Sequence, residues 1–524
     1  MSLNKLFKWS KTKRDLLFLV GLSFIVKLCL ALFAKEINND GVLYITAAQE
    51  FAAGNFKEGL LLYRMPFYPL LIAITHYIVH DWILAARGVS LLTSILSVIP
   101  LYLLTRDFFA MKAAFWGCIA FALSPLPNNL SVEVTKDSTY LFFFAWTIYF
   151  ALLAIESKKL KYFFLAGVCS TFSFLCRVEG IVIFFSYITF LIYVLLRNSE
   201  ERTTIIRGIF VYISFPFLFL TMSSFILQIN VKHYTGKMKH FNRISFLVSQ
   251  IKDVIHHRFL KNYLFIYKKM DLFEKTYVGK RGGLNFAEVA RHHMYAVYLI
   301  GLFESYIKAI FFPYVIPLGF GVKNSRSLNR TFLVFLLGCY LLFLYCSFVK
   351  RDVLRERHLL APAFLLYPWI GLGITRLMEF AKERIWKRYL IFFFVFGLGF
   401  LAVYKSVDVL WKQDDVVVRA GQWIGNIPAL EGATIITTDR RIPFYAHRSS
   451  DYVRYHGSDY HAMAKLAWAK GYDVLVIRTS KRRCNYGPQL NRFKKVKEFS
   501  GVKDIVNIYF SSRLQKDLDG KDNE

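Results

Sequence analysis

Asp40, Arg64, Glu133, Asp137, Arg177, Glu179, Arg355 and Arg357 are the charged side chains that this chain's hydrophobic pattern does not explain. They fall in polar segments between long apolar runs. There a carboxylate can accept a proton, and a guanidinium fork can neutralise phosphate oxygens. Asp40 lies about six residues past the first apolar run and opens a stretch in which Val42, Ile45, Ala48, Gln49 and Ala52 share one helical face. The same position suits a helix N-cap, so the residues alone leave a structural and a chemical role open. Glu133 and Asp137 are four apart and share a face if their segment is helical, with Lys136 able to neutralise one of them locally. Arg177 and Glu179, in Cys176-Arg-Val-Glu-Gly180, are pinned between two apolar runs with almost no loop. Charges held so tightly are expected to face a cavity or to pair with each other. Arg355 and Arg357 sit in the basic run from Lys350 to His358, a rim suited to a phosphate.

The elements that must position these groups are membrane helices. Of 524 residues, 55% are hydrophobic and 18% aromatic, and the mean hydropathy is +0.37, which excludes an ordinary soluble domain. Apolar stretches recur at 16–34, 84–104, 111–126, 138–155, 161–176, 178–196, 208–228, 296–321, 331–349, 358–378 and 389–407. Each needs about 20 residues to cross the hydrocarbon core, so the shorter ones must extend into their flanks. The expected fold is mostly α, a polytopic membrane protein of about 11 transmembrane helices. Interfacial helices fill its first outer loop, where Pro66–Val79 is too short to span. The positive-inside rule puts the N-terminus in the cytoplasm and the candidate residues outside. The net charge of +31, from 67 Lys and Arg against 36 Asp and Glu, reads as attraction to anionic lipid rather than to nucleic acid.

The expected organisation is a basic cytoplasmic tail at 1–15, an N-terminal transmembrane core at 16–228, a long basic outer loop at 229–295, further transmembrane helices at 296–407, and an extracytoplasmic α/β domain at 408–524. The run from Leu16 to Ala34 is long for a signal peptide and reads as an uncleaved anchor. In the last domain, Ala433–Thr438, Tyr472–Ile477 and Val506–Phe510 read as strands, and the segments around Val417–Ile424 and Tyr460–Lys470 as helices. The final dozen residues are polar and read as disordered. Six cysteines lie in apolar stretches and Cys484 in the polar tail, with no disulfide or zinc spacing. His233, His240, His256, His257, His292 and His293 match no metal-ligand spacing and read as surface histidines. Glu304 and Lys308 read as a helix ion pair.

In order and placement, Asp40-Gly-Val-Leu-Tyr44, Arg64-Met-Pro-Phe-Tyr-Pro69, Ser124-Pro with Glu133 and Asp137, Arg177-Val-Glu-Gly180 and Glu356-Arg-His-Leu-Leu-Ala-Pro362 resemble a known family. These are the integral-membrane glycosyltransferases of GT-C type that use polyprenyl-phosphate sugars, including protein O-mannosyltransferases and the lipid A aminoarabinose transferase. The resemblance is strongest over the first two hundred residues. It implies that Asp40 is the catalytic acid-base residue, that Arg64 contacts the donor phosphate, and that Asp137 lies at the active site. Two departures stand out. Gly41 replaces the second acid of many relatives, and Tyr63 stands where the lipid A enzyme has a metal-binding Glu.

The expected function is therefore transfer of a hexose or pentose from a polyprenyl-phosphate sugar to a glycolipid, glycan or protein acceptor of the envelope. The site would be on the extracytoplasmic face of the cell (inner) membrane. Asp40 and Asp137 would be catalytic; Arg64, Glu133, Arg177, Glu179, Arg355 and Arg357 would bind substrate. No metal ligand is assigned, although the resemblance leaves room for a divalent metal cofactor. The rival readings are a transporter or flippase for an amphiphile, such as a lipid-linked sugar, and a catalytically silent scaffold of the same fold. A transporter predicts inverted repeats and midplane charges, and here the charges gather at one surface.

Overall fold

The computed structural model describes residues 3–197, 202–226, 294–322, 328–351, 353–380, 384–448, 452–457, 459–481, 490 and 492–515. The long basic loop with its six histidines, Cys484 and the polar C-terminal end lie outside the described residues. The chain divides into two units. The first holds 1–29, 47–132 and 136–406; the second holds 30–46, 133–135 and 407–524.

The first unit is helical and follows the apolar runs. Its helices include α1 (Leu3–Ala31), α2 (Asn39–Ala52, which begins in the second unit), α3 (Phe56–Leu62), α4 (Phe67–Val79), α5 (Trp82–Leu96), α6 (Val98–Phe108), α7 (Met111–Leu123), α8 (Pro125–Val132), α9 (Asp137–Ser157), α10 (Leu160–Cys176), α11 (Gly180–Arg197) and α12 (Arg202–Ile226). They continue with α13 (Met294–Ile310), α14 (Val315–Val322), α15 (Leu328–Arg351), α16 (Leu360–Phe364), α17 (Tyr367–Phe380) and α18 (Ile385–Trp411). The protein is a polytopic membrane protein of mostly helical structure.

By length and composition, six helices among the described residues can cross a membrane, or eight if two bent pairs each count as one. About eleven were expected, and the difference has a physical source. Of the expected runs, those at 111–126 and 161–176 form apolar helices of only 13 and 17 residues, Met111–Leu123 and Leu160–Cys176, and the run at 16–34 lies in α1, outside that set. At 1.5 Å per residue the shorter reaches roughly 20 Å, against a hydrocarbon core of about 30 Å. The expected span at 296–321 bends by 88°, where Phe311 adopts φ 74° and Pro313 opens the next turn. The N-terminal basic tail is continuous with the first apolar run in one helix from Leu3.

Glycines let three helices touch backbone to backbone. A Cβ on Gly371 would lie 2.1 Å from the Ala113 carbonyl oxygen, and one on Gly373 would lie 1.6 Å from that of Pro317. Helices α7, α14 and α17 therefore cross at a distance only glycine permits, a device that suits helix packing in lipid.

The second unit carries a five-stranded sheet in the order β2-β1-β3-β5-β4, formed by β1 (Ile435–Thr437), β2 (Tyr452–Arg454), β3 (Val474–Ser480), β4 (Phe493–Ser500) and β5 (Asp504–Ser511). Strands β1, β2 and β3 are parallel, while β5 is antiparallel to β3 and β4. Helix α19 (Val416–Gly425) buries Val416, Val417, Ala420 and Ile424 with Ile435, Val474 and Val506. Tyr460–Lys470 forms the expected helix, α20, capped by the Asp459 carboxylate and ended by Gly471 at φ 74°. Gly is favoured there because it carries no penalty in the left-handed region.

Candidate active site

Within the first unit, four segments far apart in sequence come together. Helix α9 begins at Asp137, whose carboxylate is 1% exposed and forms an ion pair with Arg177. Arg177 leaves the end of α10 in extended conformation, its N–H donating to the Ser173 carbonyl at 3.0 Å. Its guanidinium also forks onto Glu179, with Nη2 to Oε1 at 2.8 Å and Nε to Oε2 at 3.2 Å. Arg177 and Glu179 thus pair with each other as their spacing predicted, and Arg177 additionally takes Asp137.

Lys136, the residue before α9, donates to the hydroxyl of Tyr63, and its ammonium lies 5.1 Å from the centre of that ring. Arg64 follows Tyr63 directly and is half-buried. Arg357 and His358, from the short 3-10 turn Glu356–Leu359, complete the group through their fields at Lys136 and Glu179 respectively. Arg355 is exposed.

Burial and the neighbouring charges tune these groups. Burial lowers the Lys136 ammonium to about 8, assisted by the Arg177 and Arg357 charges and opposed by Glu179. Burial alone would raise the Glu179 carboxyl, but Arg177 overrides it and holds Glu179 well below the usual carboxylate range. The sequence offered a neighbouring acid as one partner for Lys136. Its partner is Tyr63, 73 residues away, a contact that no local pattern announces.

The turn that carries Arg177 and Glu179 depends on Gly180. A Cβ there would lie 2.6 Å from the Phe174 nitrogen and 2.7 Å from the Ser173 carbonyl carbon. Both neighbours are backbone and cannot swing aside. Tyr340 steadies the turn by donating to the Glu179 carbonyl at 2.9 Å while its hydroxyl meets that of Tyr140 at 2.8 Å. Gly180→Ala should therefore cost about 1–3 kcal/mol through overpacking. Thermal unfolding of the detergent-solubilised variant would register this as a lowered Tm, and an unchanged Tm would contradict the tight turn.

Asp40 and Glu133 belong to the second unit. Asn38, not Asp40, caps α2: its Oδ1 accepts from the Gly41 N–H at 2.6 Å. The capping role that could have explained Asp40 is filled two residues earlier, because the run Asn38-Asn39-Asp40 offers three cap-forming types and the helix starts at Asn39. The Asn38 amide in turn donates to Glu133 Oε2 and to the Val134 carbonyl, each at 3.2 Å. A Cβ on Gly41 would sit 3.0 Å from the Val134 Cβ. Gly41 is small enough to let segment 133–135 lie against the start of α2.

The shared helical face expected for Glu133 and Asp137 does not form. Helix α8 ends at Val132 and α9 starts at Asp137, so the two residues do not lie on one continuous helix. Glu133 holds the cap residue of α2, whereas Asp137 is clasped by Arg177.

No group of three or more His, Cys, Asp or Glu among the described residues is placed to hold a metal ion. Asp137 and Glu179 share one guanidinium, and the Tyr63 position is occupied by contact with an ammonium. These residues do not suit a divalent cation, because their negative charge is already neutralised by fixed cations.

Residues 64–226 match the family model described as dolichyl-phosphate-mannose-protein mannosyltransferase. Among solved structures, the oligosaccharyltransferase of Archaeoglobus fulgidus, tethered to an acceptor peptide, is similar at 12% identity and a TM-score of 0.56, covering 89% of this chain and 69% of that one. ArnT from Cupriavidus metallidurans bound to undecaprenyl phosphate is similar at 13% identity and a TM-score of 0.52, covering 94% of this chain and 97% of that one. The fold is that of the GT-C glycosyltransferases. Another structure of the archaeal enzyme, AglB in complex with an inhibitory peptide and a dolichol-phosphate, shares this GT-C fold at 13% identity and a TM-score of 0.50, covering 89% of this chain and 69% of that one. Among curated protein sequences, none matches the chain.

Proposed function

We propose that this chain is an integral-membrane glycosyltransferase that moves a sugar from a polyprenyl-phosphate donor to an envelope acceptor, on the extracytoplasmic face of the cell (inner) membrane. The observation that carries this reading is the gathering of Tyr63–Arg64, Lys136–Asp137, Arg177–Glu179 and Arg357–His358 in one unit of a GT-C fold. Arg64, Lys136, Arg177 and Arg357 outnumber Asp137 and Glu179, so the group has positive charge to spare for a phosphate. The polyprenyl phosphates held by the two similar enzymes agree with such a donor, and the acceptor peptide with transfer to a macromolecule. The sugar is a hexose or a pentose; the acceptor is a glycolipid, a glycan or a protein.

In the reaction, the acceptor oxygen attacks the anomeric carbon of the sugar. The bond from that carbon to the phosphate oxygen breaks, and its electron pair leaves on the lipid phosphate. Asp40 takes the proton of the acceptor hydroxyl as general base. Lys136, Arg64 and Arg357 stabilise the charge developing on the departing phosphate. Asp137 and Glu179 fix Arg177, and Glu133 fixes the cap of the helix that bears Asp40. No step runs through a metal.

Lys136 gives this reading a pH signature. Its ammonium is charged below about 8 and neutral above, so donor capture in the free enzyme should fall as pH rises through that value. The measurement is kcat/KM for the donor against pH. Lys136→Arg should remove the alkaline fall, and Lys136→Met should cost about 10- to 100-fold at neutral pH, the worth of one charge-assisted contact. An alkaline fall that survives Lys136→Arg would remove this ammonium from phosphate binding.

The function itself is tested by comparing envelope glycans and glycolipids of a deletion strain with those of the parent. Loss of one sugar from one envelope component, restored by the wild-type chain and not by Asp40→Asn, is expected. Identical profiles would contradict the proposal.

A further inference from the structure

The second unit carries a cationic site of its own at the carboxyl ends of its parallel strands. Chain leaving β1 passes through Asp439, Arg440 and Arg441, and Arg454 is the last residue of β2, in register with Thr437 of β1. In α/β sheets this end of the strands is where ligands bind. Arg441 is fully committed: it pairs with Asp439 at 2.7 Å and with Glu36 at 2.7 Å, and its Nη1 also donates to the Ile37 carbonyl at 3.3 Å. The Tyr445 hydroxyl accepts from the Ile37 N–H at 2.9 Å. These bonds hold residues 36 and 37 against the loop, three residues before Asp40.

Arg440 and Arg454 are different. Both are half-buried, both have a buried Nε with no hydrogen-bond partner, and neither forms an ion pair among the described residues. Each lies in the other's field, and the carboxylate of Asp40 acts on Arg440. Two half-buried guanidinium groups at the same strand ends, each in the other's field, repel each other unless an anion lies between them. A phosphate or carboxylate supplies both the charge and the fork-shaped acceptor geometry.

We infer that Arg440 and Arg454 form an anion subsite beside Asp40 that holds a phosphate or carboxylate group of the acceptor, presenting its hydroxyl to Asp40. This rests on the glycosyltransferase reading for the word acceptor, but the anion subsite can be tested without it. Full-length protein in detergent would be titrated calorimetrically with inorganic phosphate and, separately, with glucuronate. The comparison is wild type against Arg440→Gln/Arg454→Gln, with the Tm of each protein recorded.

The expected result is a binding event that the double variant loses at unchanged Tm, and that Arg440→Lys/Arg454→Lys retains in weakened form. Loss of the phosphate event marks a phosphorylated acceptor; loss of the glucuronate event marks an acidic glycan. Equal binding of both probes by wild type and the Gln variant, or binding of neither by wild type, overturns the subsite. In a transfer assay the acceptor KM should rise at least tenfold with the donor KM unchanged. A raised donor KM with the acceptor KM unmoved would also overturn the inference. A wild-type protein that binds an anion here and transfers no sugar would strike the proposed function and leave the subsite standing.

Discussion

Asp40→Asn is expected to slow sugar transfer by about 100- to 10,000-fold, the range for removing a general base, and to leave the protein folded. The second half of that statement comes from the cap of α2. Asn38 satisfies the Gly41 N–H, so replacing Asp40 by its isosteric amide costs the helix no capping bond. A fall in kcat without a fall in Tm would separate proton transfer from support of the helix. Asn38→Ala should do the opposite first, lowering stability by about 1 kcal/mol, because it removes the cap and the bonds to Glu133 and Val134. Transfer by Asp40→Asn within tenfold of wild type would remove Asp40 from the chemistry.

Arg177→Met should be the most damaging change in the first unit. It leaves the buried carboxylate of Asp137 and the half-buried one of Glu179 without their shared counter-ion, a loss of about 3–5 kcal/mol. Expression and Tm should fall together, and activity with them. Because a collapsed variant says little by itself, Asp137→Asn added to Arg177→Met supplies the control. Neutralising the more deeply buried acid should recover part of the lost Tm, as coupled partners do in a double-mutant cycle. A double variant with the summed losses of both single ones would contradict the shared guanidinium.

Much of this site could be read from residue types, and the failures follow a physical pattern. Arg177 and Glu179 were legible because two charges in a three-residue gap between apolar runs have few partners besides each other. The expected strands at 433–438, 472–477 and 506–510 were legible because their centres, Ile435–Ile436, Val474–Ile477 and Ile508–Phe510, are apolar and buried on both faces. Strand β4 was not: Phe493-Lys-Lys-Val-Lys-Glu-Phe-Ser500 is an exposed edge, and its charges protect that edge while hiding its strand pattern. Strand β2, only three residues long, gives too short a signal for periodicity. The cap of α2 was ambiguous because Asn38, Asn39 and Asp40 are all good cap types. The partners of Lys136 and Arg440 were not legible, for a different reason. Their surroundings come from segments distant in sequence, Tyr63 and Arg177 for one and Asp40 and Arg454 for the other.

The most direct test of the central claim is the fate of the donor. Purified wild-type protein would be placed in liposomes with a polyprenyl phosphate carrying a radiolabelled sugar and with envelope extract as acceptor. Label should move into the acceptor while an equal amount of free polyprenyl phosphate appears. Label that stays on an intact lipid, whether left in place or carried to the other leaflet, would contradict it.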